Sequence, residues 1–294
     1  MDQFLQALIN GVMLGGFYAA MVLGFSIIWG VMGVINLAHG EFLMLGAYLA
    51  WIMNRYFHWE PFTAIIVVIP VMFMLGYLIQ RLLINRIVDR PPLISLLVTY
   101  ALSIVFANML KLFFTGTPRS VETIFSGYWR FGNITIPVVK TYTLGLSILM
   151  VLALALFLAY TRLGKSIRAA AQNRNAARIV GIEISSIYAI IFAICIALTG
   201  AAGVLMAPIQ PIFPFMGQPF TLKAFAITTM SGLGNIWGAL LGSLVLGILE
   251  IGIATYVPGV GTNLGVVVSY FILVLVLITR PQGLFGGLKP VEQQ

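Results

Sequence analysis

The stretch Gly33–Trp51, GVINLAHGEFLMLGAYLAW, places an Asn, a His and a Glu within six residues of an otherwise apolar region. Asn36, His39 and Glu41 follow some thirty mostly apolar residues and precede about ten more. Polar groups in such surroundings cost free energy unless a partner satisfies them or a function uses them. The stretch therefore marks either a broken helix held by polar contacts or a path lined by them.

Composition sets the class. Apolar residues make up 61% of the 294-residue chain, charged residues 8%, and the mean hydropathy is +1.05. A soluble globular domain carries about 25% charge. So few charges cannot cover a globular surface, and lipid is the solvent that suits the chain. It reads as an all-α polytopic membrane protein. The N-terminus, MDQFLQALINGV, has no Lys or Arg ahead of its apolar run, whereas a secretory signal needs a basic start; it reads as a retained first span. Cys195, the single cysteine, lies in an apolar run. One thiol makes no internal disulfide and is a poor start for a metal site, so it reads as a small packing residue. The formal charge of +8 is scattered over short loops, as orientation signals are, and no nucleic-acid partner is expected.

A membrane helix needs about 20 mainly apolar residues. Residues 4–30, 37–54, 61–80, 92–113, 141–160, 187–207, 220–234, 236–256 and 264–280 fit, the first long and the seventh short. Eight or nine crossings follow. Lys and Arg accumulate on the cytoplasmic side, which claims Arg81, Arg86 and Arg90, then Arg162, Lys165, Arg168, Arg174 and Arg178, then Arg280 and Lys289. Nine crossings, with the N-terminus outside and the C-terminus inside, reconcile these three segments and favour a full crossing at 220–234 over a re-entrant one. Arg55, Lys111, Arg119, Arg130, Lys140 and Lys223 then fall on the outer side or near its interface. The outer loop 114–140 holds Tyr128, Trp129 and Phe131 among turn residues, as an aromatic belt or a docking surface would.

Glycines recur at helical spacing: Gly11 and Gly15; Gly234, Gly238 and Gly242; Gly261 and Gly265. Helices in lipid associate by close backbone approach at small residues. The Gly234–Gly242 row is accordingly read as helix packing within the chain, with a subunit seam as the alternative. SGLGNIWGALLGSLVLGILE also echoes WGVMGVINLAHGEFLMLGAY, each with glycines, an Asn (Asn235 and Asn36) and a Gly-spaced helix. The echo points to an internal repeat, common in transporters.

The loop 161–186 contains LGKS, half of a phosphate-binding loop, but Ala159 stands where that motif needs Gly and a membrane helix precedes it. No nucleotide site is expected there. The following SIRAAAQNRNAARIVGIEISS is rich in helix formers, with Arg174 and Arg178 one turn apart, Gly181 as a stop, and Ser185 and Ser186 as caps for the next span. It predicts a short, small-faced basic helix over 167–181, outside the membrane on the cytoplasmic side.

Within it, NAARIVG resembles the coupling-loop motif of ABC importer permeases, Glu-Ala-Ala, three residues, then Gly. Asn175, Ala176, Ala177 and Gly181 take the matching positions; Asn175 replaces the acid, and the later Ile-x-Leu-Pro is absent. With GVINLAHGEFLMLGAY, RNAARIVGI and GLGNIWGALLGSLVLGILE … LVLITRPQGLFG, nearly the whole chain resembles permeases of the branched-chain amino-acid uptake family. The resemblance implies one permease domain over 1–294, in a bacterial inner membrane, translocating Leu, Ile or Val delivered by an external binding protein. It implies a second, homologous permease (or a second copy) and two cytoplasmic ATPase subunits that hold ATP and Mg, with no cofactor and no enzyme activity on this chain. Arg168, Gln172, Arg174, Asn175, Ala176, Ala177, Arg178 and Gly181 would form the helix that enters the ATPase groove. Urea, short amides and other amino acids are the alternative cargo.

Asn36, His39, Glu41 and Glu250 are then the candidates for the translocation pathway or gate, since ionisable residues inside spans face the bundle interior or a wet cavity. His39 and Glu41, two apart, point to different sides of a helix, while Asn36 and His39 share a face. The spans place residues 31–40 at a cytoplasmic turn, with a helix starting there and Asn36 or His39 satisfying its free amides. Gating and structure are expected ahead of direct ligation. An ion-coupled secondary carrier using Glu41, His39 and Glu250 is the competing reading, and the basic helix argues against it, because such a carrier needs no ATPase dock. An intramembrane enzyme would need a catalytic constellation, and no H-E-x-x-H is present.

Overall fold

A computed structural model describes residues 2–257 and, beyond them, Val267, Tyr270, Phe271, Val274, Leu275, Val276, Ile278, Thr279, Gly283 and Leu284. The apolar run that opens the chain forms one long helix, α1 (Asp2–Met32). Gly33 ends it by adopting φ +68, a conformation glycine takes at little cost. Then follow α2 (His39–Phe57), α3 (Ile65–Leu82), α4 (Pro92–Phe114) and α5 (Val138–Tyr160). Two short helices, α6 (Arg162–Gln172) and α7 (Arg174–Ile179), lead to α8 (Ile184–Met206), α9 (Gly217–Ser231) and α10 (Ile236–Tyr256).

Among the described residues, six helical stretches are long and apolar enough to cross a membrane: residues 2–32, 61–86, 92–114, 138–160, 184–206 and 236–256. The chain is thus a multi-pass helical membrane protein. Two of the expected spans, α2 and α9, are not among the six; α2 carries His39, Glu41, Asn54 and Arg55, and α9 has only 15 residues. The expected span 264–280 lies largely outside the described residues, as do Gly261, Gly265, Arg280 and Lys289.

Helices α1 and α8 form the centre, with 89% and 83% of an apolar 18-residue stretch of each buried, whereas the corresponding stretches of the spans that contain α3, α4 and α5 are only 28–33% buried. A helix apolar all round belongs inside or in lipid, and the outer three present Ile66, Met74, Leu97 and Leu149 to the surroundings. Glycine lets the central helices touch backbone to backbone. A Cβ on Gly203 of α8 would collide with Leu43 O of α2, one on Gly46 with Gly200 O, and one on Gly247 of α10 with Gly15 of α1. The Gly234–Gly242 row faces the chain's own helices. A Cβ on Gly242 would strike Ser231 Oγ at the end of α9, one on Gly238 would lie 2.7 Å from Ser231 O, and Gly234 rests against Gly30 of α1.

The outer loop contains a β-hairpin where the sequence reading saw only turn residues. β1 (Tyr128–Phe131) pairs antiparallel with β2 (Ile134–Pro137) through the two-residue turn Gly132–Asn133, a Gly/Asn pairing suited to tight hairpins. Gln6 of α1 bonds both backbone groups of Thr135 at 2.8 Å, and Asn133 donates to Asp2 at 2.8 Å. The chain's start therefore shares one face with this hairpin. The same face holds Arg119, whose backbone pairs with Ile212, and Glu60, which accepts from Thr123 and from Ile124 N. Gly33, the α3–α4 turn and α6–α7 sit at the opposite end.

Gly203→Val should destabilise the protein by at least about 3 kcal/mol, because backbone rather than a flexible side chain stands in the way. Gly145→Ala, with nothing within 4 Å of the new methyl, should change the melting temperature in detergent little. Equal melting of the two variants contradicts this packing.

Candidate functional site

The break after α1 does not sit where the sequence reading placed it. From Gly33 the chain turns back, non-helical through Asn36, and α2 begins beside the middle of α1 rather than at its end. His39 Nε2 lies 2.8 Å from Met21 O, to which it donates. Helix α1 runs on for eleven residues past Met21, to Met32, or about 16 Å at 1.5 Å per residue. Since residues 33–38 are not helical, Asn36 and His39 share no helix face. Asn36 Oδ1 accepts from Ala38 N at 3.1 Å, a local turn, and leaves its Nδ2 unpartnered.

The backbone of the break is satisfied from two other helices. Thr99 Oγ1 of α4 accepts from Leu37 N at 3.0 Å, with Ile35 O 3.1 Å away. Thr221 Oγ1 of α9 accepts from Gly40 N at 2.8 Å, with Leu37 O at 3.3 Å. Inside an apolar bundle an open N–H or C=O costs several kcal/mol, so these threonines fix where the chain can leave helical geometry. Gly40 and Gly217 bring the starts of α2 and α9 into backbone contact, for a Cβ on Gly40 would collide with Gly217 O.

His39 and Glu41 point to different helices. The His39 ring meets the Phe25 ring edge-on at 5.2 Å, and its Nδ1 is unpartnered. The Glu41 carboxyl lies against Gly217 in the first turn of α9: a Cβ there would be 2.9 Å from Glu41 Cδ. Both carboxyl oxygens are buried without a hydrogen bond.

Glu250 belongs to a second cluster. Lys223 Nζ of α9 donates to Glu250 Oε1 at 2.9 Å and Oε2 at 3.2 Å, Tyr18 Oη donates to Glu250 Oε2 at 2.8 Å, and Lys223 also reaches Tyr18 Oη. The ammonium lies 4.8 Å from the Tyr18 ring centroid. Only 10% of the Lys223 side chain and 9% of that of Glu250 is exposed. Lys223, expected on the outer side, is thus an interior residue, and every one of its donors has a partner. Tyr18 and Met21 lie three apart on α1, so both clusters fall within one turn of it and make a single polar belt where α1, α2, α4, α9 and α10 meet. The sequence reading missed Tyr18, Lys223, Thr99 and Thr221. A lysine inside an apolar window was the available signal; the threonines gave none.

The basic segment is two helices rather than one over 167–181. Asn173 leaves helical geometry (φ −155, ψ 105) and its side chain caps α7 by accepting from Ala176 N at 2.9 Å. Ser185 and Ser186 do not cap α8. They bond Asn85 and Arg81 instead, tying α8 to the end of α3. Of the coupling candidates, Arg168, Gln172, Asn175, Ala176, Arg178 and Gly181 are exposed, joined by Ile179 and Val180 at 86% and 74% exposure. Ala177 is buried, and Arg174 is engaged by buried Tyr188 and by exposed Asp89.

Residues 7–277 match the family described as branched-chain amino acid transport system / permease component. The chain is 31% identical over 297 aligned positions to the high-affinity branched-chain amino acid transport system permease protein LivH of Escherichia coli (strain K12), spanning 96% of each chain. Its identity to the corresponding permease protein BraD of Pseudomonas aeruginosa is 30%, again over 96% of each. To a probable branched-chain amino acid transport permease protein LivH of Methanocaldococcus jannaschii it is 27%, over 90% of this chain and 87% of that one. No solved structure matches.

Removing one partner of the buried pair should cost more than removing both. Lys223→Ala, which strands the Glu250 carboxylate, should lower unfolding free energy by about 3–5 kcal/mol. Lys223→Met combined with Glu250→Gln should lose less than half of that in the same denaturant titration. Thr221→Val, which strands Gly40 N–H, should cost about 1–3 kcal/mol. A double variant as unstable as Lys223→Ala contradicts the pairing.

Proposed function

The chain belongs to the branched-chain amino-acid permease family, and from that premise we propose that it is the membrane-spanning permease subunit of an ATP-driven importer of Leu, Ile and Val. The observation that carries the coupling part is the exposed α6–α7 segment at the face opposite the N-terminus. Arg168, Gln172, Asn175, Ala176, Arg178 and Gly181 are exposed there, and Ile179 and Val180 form an apolar tip. An apolar tip rimmed by Arg suits a groove on a soluble protein better than open water. On this reading the groove belongs to two cytoplasmic ATPase subunits, which carry ATP and Mg. A homologous permease or a second copy completes the membrane part, and an external binding protein delivers cargo to the hairpin face.

The orientation follows from the basic residues: N-terminus outside, α6–α7 inside, with eight or nine crossings once α2, α9 and the closing span are counted. The two break-then-helix units, α1–α2 and α9–α10, are read as an internal repeat. The polar belt is the gate. Contact of α2 with α9 at Gly40 and Gly217 closes the route, and their separation uncovers Glu41, His39 and Asn36 beside an apolar lining. Lys223 and Glu250 neutralise each other and hold α9 to α10 while that happens. An amino acid with an ammonium, a carboxylate and an apolar tail needs only transient polar contacts on such a path.

Two experiments test this. Co-purification in mild detergent should recover cytoplasmic ATPase subunits with the wild-type chain. Ala176→Trp and Ile179→Glu, both at exposed positions, should cut recovery at least about tenfold, the loss of one interfacial anchor of roughly 1.4 kcal/mol or more. Wild type without ATPase contradicts the reading. For orientation, Asn133→Cys should react with an impermeant maleimide on spheroplasts and Gln172→Cys only after lysis, with buried Cys195 silent. The reverse pattern inverts the assignment.

A further inference from the structure

The exposed tip of α7 explains how a partner could hold this segment but not how its motion would reach the gate. We infer that Arg174 and Tyr188 form the joint through which α6–α7 acts on the α1–α2 break; the inference rests on the importer reading above. Arg174 opens α7, yet it turns away from the tip. Its Nε donates to Tyr188 Oη at 2.9 Å, its guanidinium lies 5.1 Å from the centroid of that ring, and its Nη1 pairs with Asp89 between α3 and α4. A planar fork can hold two partners in fixed directions, which a lysine cannot.

Tyr188 passes the contact on. It is 2% exposed, and its hydroxyl, having accepted from Arg174, donates to Val31 O at 3.4 Å. Val31 is in the last turn of α1, where carbonyls have no helical donor. Two residues later Gly33 takes φ +68 with open space around it, and the segment it begins delivers His39 to Met21. The contacts therefore run from α7 through Arg174 and Tyr188 to the end of α1, where the break begins.

The neighbouring polar contacts do a different job. Arg81 with Ser185 and Ser186, and Ser185 with Asn85, bind α8 to α3 and its following turn. They make α3, the turn and the start of α8 one block, and none of them reaches α1. The Tyr188–Val31 contact is the one among these polar contacts that reaches α1. Arg174 and Tyr188 are positioning residues and touch no cargo.

The test is the ratio of ATP hydrolysed to amino acid imported, measured on the full complex in proteoliposomes with its ATPases and binding protein. Tyr188→Phe keeps the ring under the guanidinium and removes both hydroxyl bonds. The complex should assemble and hydrolyse ATP at the wild-type rate, while the ratio rises about threefold or more, the low end of what losing one buried hydrogen bond produces. Arg174→Lys should shift the ratio in the same direction. Ser186→Ala, which removes an α3–α8 bond to Arg81 without touching the Arg174–Tyr188 link, should leave it unchanged. A wild-type ratio in both Tyr188→Phe and Arg174→Lys overturns the joint, as does a rise in Ser186→Ala equal to theirs. Failure of the wild-type chain to bind any ATPase overturns the importer reading instead, and the joint with it.

Discussion

A backbone that leaves helical geometry inside an apolar bundle must find donors and acceptors there, and residues 33–38 find them on α4 and α9. Thr99 and Thr221 each use one hydroxyl as acceptor for an amide of the break, with a carbonyl of the break also within reach of each hydroxyl. Lipid offers no substitute, so the location of the break, the height of α9 and the rotation of α4 are set together. Gly40 and Gly217 then decide how closely the two helix starts approach. Interrupted helices that begin inside a bundle are where transporters commonly place their sites, and the polar belt here is assembled around such a start.

The charges in the belt follow a different logic from the backbone. Lys223 and Glu250 fill one another's hydrogen-bonding capacity, with Tyr18 completing the set, so the pair is costly to break from one side and cheap to delete as a whole. Glu41 has no such partner and lies at the first turn of α9, where free amides favour a carboxylate. One cluster is closed and one is open, a turn apart on α1. The closed pair fixes the positions of α9 and α10 against α1, and the open groups are left without such a commitment.

Much of the helix pattern was readable from apolar run lengths. Eight of the expected spans begin and end within a few residues of described helices, because hydropathy and the length of a span are physical requirements of the same bilayer; the ninth, 264–280, lies largely outside the described residues. The short basic helical segment was also visible, since its alanines favour helix and its arginines disfavour a lipid surface. What could not be read was pairing across distance. Thr99 and Thr221 look like any threonine in an apolar run, and their partners lie 62 and 181 positions away. Lys223 was counted with the loop charges, although one lysine inside an apolar window asks for a buried acid. The depth of the α2 start was misjudged for a related reason: residues 31–40 were treated as a surface turn, whereas the chain re-enters the bundle once its amides are satisfied there. The split of the basic helix at Asn173 has a local signal, since Asn is a good cap, but the alanines around it favour one continuous helix.

The account stands most directly on where the energy for transport comes from. Radiolabelled leucine uptake should be measured in proteoliposomes holding this chain, its partner permease, the ATPase subunits and the binding protein, with ATP inside or absent and with proton and sodium gradients imposed or collapsed. The account predicts uptake that requires ATP and the binding protein and ignores both gradients. Uptake by this chain alone, driven by a gradient and indifferent to ATP, would contradict it and make the buried carboxylates Glu41 and Glu250 the coupling groups of a secondary carrier.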